Sequence, residues 1–224
     1  MRVGLALGGG GLTGTAFHAG VLNALAQHFD AREAEVIVGT SAGSTAAALM
    51  RAGFPPTDYV ARVAGEAMSA AGRAILGGMP PLSEPAAVSA RERRPASAAL
   101  GRSALRRPWR YPPGVALAAW LPAGTRPVDP GAQRLRTLFE GWPDADLWIV
   151  AVDLDSGQRV VFGRDAHPSV GDAVAASCAV PGYFAPVVIE GRRYIDGGAH
   201  SVVSLDLLAG RDHHRVRRTG SGDS

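Results

Sequence analysis

The chain has 224 residues, 46% hydrophobic and 19% charged, with a formal net charge of +3, a balance that suits one folded domain with a large core and excludes a disordered chain. All 23 basic residues are Arg, which excludes a Walker-type phosphate loop and a pyridoxal Schiff base, since both need Lys. The single Cys178 excludes an internal disulfide framework and a zinc ribbon.

Residues 2–7 read as a short buried strand, followed by the glycines of "ALGGGGLTGTAFHAG". A helix is predicted over 13–28, with Phe17, Val21, Leu22 and Leu25 at helical spacing. "EVIVG" is a second buried strand, and an alanine-rich helix from Ala42 to Ala52 ends at Gly53 and "FPP". Two strand–glycine turn–helix units in fifty residues predict an α/β fold, three-layered, with a mainly parallel central sheet and helices on both faces.

From Ser69 to Pro130 the pattern degrades into Ala, Pro, Gly and Arg, with "GGMPP" and "RYPPG" as breakers. This segment reads as an irregular helical insertion, a lid over a domain spanning 1–210. Between Arg91 and Arg110 there are seven Arg against the one acid Glu92. Such a patch suits a solvated basic loop, or binds the phosphate head groups of an anionic membrane surface or nucleic acid electrostatically. Order returns at Leu135, with a hairpin around "DLDSGQ", a helix over 169–179, and strands turning at Glu190–Gly191 before "YIDGG". Residues 211–224 read as a polar, disordered tail. The start "MRVGLALGGGG" lacks a signal-peptide pattern and no apolar run reaches the roughly 18 residues of a spanning helix, so a cytoplasmic, at most peripheral, location is expected.

Gly9, Gly11 and Gly14 satisfy G-x-G-x-x-G between a strand and a helix. A dinucleotide site also needs an acid near the end of the second strand. Nothing between Glu35 and Asp58 is acidic, so a nicotinamide- or flavin-dependent oxidoreductase is the weaker alternative. That position holds Gly39-Thr40-Ser41-Ala42-Gly43 instead. G-x-S-x-G after an apolar strand is a nucleophile elbow, whose strained turn needs small residues beside the Ser. A plain Ser N-cap on an alanine-rich helix would give the same pentapeptide.

A serine hydroxyl needs a base. Of the six histidines, His18 and His28 fall in the first helix, His167 precedes a Pro, and His213 and His214 lie in the tail; only His200, close to Asp196, stays open. Asp196, ending a strand before Gly197-Gly198, offers another base if burial raises its pKa. An ordinary Asp-Gly turn is the bland alternative.

Together "LALGGGGLTGTAFHAGVLNAL", "VIVGTSAGSTAAALMRAG" and "AASCAVPGYFAPVVIEGRRYIDGG" resemble, in order, the motifs of the patatin-like phospholipases. The resemblance covers both ends of the chain well and 69–130 poorly. It implies a Ser41–Asp196 dyad rather than a triad, acting on lipid carboxylic esters through an acyl-enzyme. It implies an oxyanion hole from the glycine loop (Gly9, Gly10, Gly11), with Gly14, Gly39, Gly43, Gly197 and Gly198 supporting the turns. No metal, cofactor or nucleic acid is implied. Thr13 stands where many family members carry Arg, and the end of the chain departs from the family's continuation, which leaves a catalytically impaired lipid-binding protein as the alternative.

Overall fold

The computed structural model describes residues 3–77, 79, 82, 94–127 and 131–209. The predicted tail and part of the 69–130 segment lie outside these residues. In chain order the elements are β1 (Gly4–Leu7), α1 (Gly11–Leu25), β2 (Val36–Thr40), α2 (Ala42–Arg51), α3 (Pro56–Ala64), α4 (Ala70–Leu76), α5 (Ala98–Arg106) and α6 (Pro113–Trp120). There follow α7 (Gly131–Leu138), β3 (Asp146–Asp153), β4 (Arg159–Phe162), α8 (Val170–Ser177), β5 (Val187–Ile189) and β6 (Arg192–Asp196).

The strands form one sheet in the order β1-β2-β3-β6-β5, with β4 also paired to β3. β1, β2 and β3 are parallel, and the remaining pairings are antiparallel. β3 is the pivot. Ile149 and Val150 pair with Gly39 and Thr40 of β2 and also with β4, while Ala151 and Val152 pair with Asp196 and Ile195 of β6 and also with β4. A strand has only two hydrogen-bonding edges. β4 therefore holds one edge of β3, and β2 and β6 share the other, running towards each other. β2 ends at Thr40 opposite Val150, and β6 ends at Asp196 opposite Ala151. The two strands finish tip to tip.

Period-two alternation divides the core. Ile37, Leu147, Ile149 and Ala151 face one side, packed with Leu22, Leu49, Met50, Phe54, Ala173 and Ala176 of the helical layer. Val36, Val38, Trp148 and Val150 face the other side, where Leu207 covers them. Further along that second side, Val152, Leu154 and Ile195 pack against Leu100, Val115, Ala118 and Ala119. The sheet is thus flanked by helices on both faces, as the sequence predicts. The difference lies in the middle segment: α5 and α6 bury apolar side chains against β3 and β6 and are part of the core, because their alanines and Leu100 form a compact apolar face. Where Arg51 ends α2, its guanidinium donates to the Ala34 and Asp146 carbonyls at the entry to β2 and β3.

Candidate active site

Ser41 sits at the tip of β2, where the chain must turn sharply into α2. Its φ of 53° and ψ of −121° lie in a region that L-residues avoid. Hydrogen bonds to its amide and its carbonyl hold it there. The Ser41 amide donates to Ser177 Oγ at 2.9 Å, and the Ser177 hydroxyl in turn donates to the Val150 carbonyl at 2.6 Å. The Ser41 carbonyl accepts from the Ser44 amide at 2.8 Å and from the Ser44 hydroxyl at 2.6 Å. The backbone is fixed on both sides, and the side chain makes no helix cap. The N-cap alternative is excluded by this geometry. Instead Ser41 and Asp196 line one pocket, with the Ser41 hydroxyl near enough to the Asp196 carboxyl to act on its pKa.

The elbow depends on close backbone approach. A Cβ on Gly43 would overlap the Leu7 carbonyl, so only glycine lets α2 pack onto the end of β1. A Cβ on Gly39 would stand 2.5 Å from Ser44 Cα, and one on Gly197 would overlap the Val150 carbonyl oxygen.

Asp196 is 5% exposed. Its Oδ1 accepts the Gly198 amide at 2.7 Å, capping the short 3-10 turn Gly197–Ala199. The Asp-Gly turn therefore exists and also delivers the carboxyl to Ser41. Burial raises the Asp196 pKa, opposed by the nearby Ser41 hydroxyl and by the hydrogen bond from the Gly198 amide. A buried carboxylate with a raised pKa beside a serine hydroxyl is a competent proton acceptor.

The glycine loop lies against Ser41: a Cβ on Gly9 would stand 3.4 Å from Ser41 Cβ, and one on Gly14 would stand 3.4 Å from the Gly9 carbonyl. Gly10 takes a φ of 156°, and a Cβ there would stand 2.8 Å from Gly14 Cα. The Gly9 amide donates to the Val202 carbonyl at 2.8 Å. Of the three expected donors Gly9 is thus engaged elsewhere, while the Gly10 and Gly11 amides make no hydrogen bond among the described residues. Val202 was missed by sequence reasoning, since a backbone carbonyl leaves no side-chain signal. Ser177 was missed too, being one more small residue in "AASCAVPG".

Ser41, Asp196, Gly10 and Gly11 line a pocket of about 470 Å³ whose other walls include Leu117, Ala118, Leu121, Val180, Pro181 and Val202, a volume usual for small-molecule sites. Leu117, Val180 and Val202 are exposed at its mouth. His200 is not among the lining residues. It faces the Arg159–Asp206 ion pair, and burial, then Arg159, lower its pKa. His18 is buried in α1, and His167 stacks edge-on to Trp142. His213 and His214 lie outside the described residues. β2 runs into Thr40 and Ser41 with no acid at its end, so the dinucleotide alternative lacks its ribose ligand.

A family model for patatin-like phospholipases matches residues 5–209. Among solved structures, VipD from Legionella pneumophila is similar, with a TM-score of 0.47 and 15% identity, over 89% of this chain and 46% of that chain. The chain thus spans less than half the length of that structure. No described helix is long and apolar enough to cross a membrane.

Proposed function

Since the chain belongs to the patatin-like phospholipase family, a group of lipid acyl hydrolases, we propose that it cleaves lipid carboxylic esters with Ser41 as nucleophile and Asp196 as general base. One observation carries this reading: the Ser41 hydroxyl, freed from capping α2, stands beside a buried Asp196 carboxyl at the floor of an apolar pocket.

Ser41 Oγ attacks the ester carbonyl while its proton passes to Asp196. The carbonyl oxygen becomes an oxyanion, held by the Gly10 and Gly11 amides; one such donor is worth about 3–4 kcal/mol in the transition state. The tetrahedral species collapses, the alcohol leaves with the proton from Asp196, and the acyl group stays on Ser41. Water then attacks the acyl-enzyme as Asp196 takes its proton, and the fatty acid departs with Ser41 restored. The Leu117, Val180 and Val202 mouth receives the acyl chain from a lipid surface, where the protein makes peripheral contact.

Hydrolysis of a panel of short- and long-chain acyl esters tests the proposal. Wild-type protein is expected to turn over esters, with Ser41→Ala inactive and folded. Equal turnover by Ser41→Ala would remove the nucleophile.

A further inference from the structure

We propose that α5 and the 3-10 turn behind it (Pro108–Arg110) form a docking site for an anionic phospholipid bilayer, separate from the acyl pocket and independent of the catalytic reading. α5 buries Leu100, Gly101 and Ala104. Its opposite face presents Ala99, Arg102, Ser103, Arg106 and Arg107 around a cavity of about 320 Å³. From Arg94 to Val128 the sequence holds six Arg and no Asp or Glu. Arg102, Arg106, Arg107 and Arg110 have no carboxylate partner among the described residues, whereas the ion pairs found there engage arginines elsewhere, such as Arg159 with Asp206 and Arg136 with Asp172. Uncompensated guanidinium groups around a cavity suit the oxygens of a phosphate ester.

Two large apolar side chains stand among these arginines. Trp109 is 82% exposed and Leu105 71%, the highest values for large apolar residues among the described part of the chain. Exposed Trp and Leu beside Arg is the pairing an interfacial segment uses, apolar groups entering the bilayer boundary while the cations meet head groups. A nucleic acid would use the charges and leave Leu105 in water, so the bilayer accounts for more of the surface. α5 is also stacked directly on the pocket-lining helix, Gly101 lying against the Trp120 indole at the end of α6. Docking there brings the lipid surface to the element that carries Leu117.

Co-sedimentation with vesicles tests this, comparing phosphatidylcholine alone with phosphatidylcholine containing phosphatidylglycerol. The protein is expected to bind the anionic vesicles selectively, and less as salt rises. The combined Arg102→Gln, Arg106→Gln and Arg107→Gln variant is expected to bind about a hundredfold more weakly, at roughly a fivefold loss per arginine, with its melting temperature and hydrolysis of a soluble short-chain ester unchanged. Trp109→Ala is expected to weaken binding further. Ser41→Ala is expected to bind like wild type, so a failed hydrolase reading would leave the docking result standing. Undiminished binding by the triple variant would overturn the proposal, as would equal binding to both vesicles. Complete displacement by inorganic phosphate would reassign the cavity to a free anion, and tighter binding of RNA by the same arginines would reassign it to nucleic acid; either overturns the bilayer.

Discussion

Asp196 carries opposed demands on chemistry and stability. In the proposed mechanism it must be ionised to accept the Ser41 proton, yet burial favours its neutral form. The acidic limb of kcat/KM is therefore expected above the ordinary Asp range near ~3.9. The stability effect has the opposite sign. A carboxyl with a raised folded-state pKa contributes stability that is fully present below the unfolded pKa and is lost as pH rises through the folded one. At neutral pH the ionised group costs stability. Asp196→Asn is expected to lower hydrolysis by about 10²–10⁴-fold while melting above wild type at neutral pH, as read by thermal denaturation. Ser177 acts on Ser41 through the backbone. Ser177→Ala leaves the Ser41 amide without its acceptor, a loss of about 1–3 kcal/mol for a buried group. As a positioning residue it is expected to show in kcat, with KM little changed.

At the scale of elements, the strand–glycine–helix units were legible because turn chemistry and apolar runs are local. β2, α2, the β3–β4 hairpin and α8 fall within two residues of their predicted bounds. α1 was read less well: Phe17 is 68% exposed and Val21 also exposed, while His18, Ala19 and Leu22 are the buried residues. A helix that starts on a glycine loop and packs through small residues has no broad apolar stripe to read. α5 and α6 were hidden in the same way, since "AALGRSALR" and "PGVALAAW" are short, and each buries only one large aliphatic residue (Leu100, Val115) beside small ones. The elbow glycines were legible in kind, though only the fold shows which atom each one meets. Gly43→Ala is expected to destabilise the protein by about 1–3 kcal/mol or more, because the added methyl meets the Leu7 backbone rather than a movable side chain. A denaturant midpoint measures this.

Across the whole molecule, β3 explains how residues far apart in the chain meet. One of its edges takes the end of β2 and, next to it, the end of β6, so Ser41 and Asp196 emerge at one gap in the sheet. No local pattern in the sequence encodes that pairing; only the order of the motifs hints at it. The segment after Asp196 completes the arrangement. Its Val202 carbonyl takes the Gly9 amide, and Leu207 closes the second face of the sheet. Leu207→Ala is expected to cost about 2 kcal/mol, the low end for a buried leucine, and to lower Tm by about 4–8 °C at this chain length.

The most direct measurement is peptide mass mapping after treatment with a fluorophosphonate, a reagent that becomes covalently attached only to an activated serine. The predicted result is one adduct, on Ser41, formed far more slowly in Asp196→Asn. An unlabelled Ser41, or an Asp196→Asn protein labelled as fast as wild type, would contradict a serine nucleophile activated by that carboxylate.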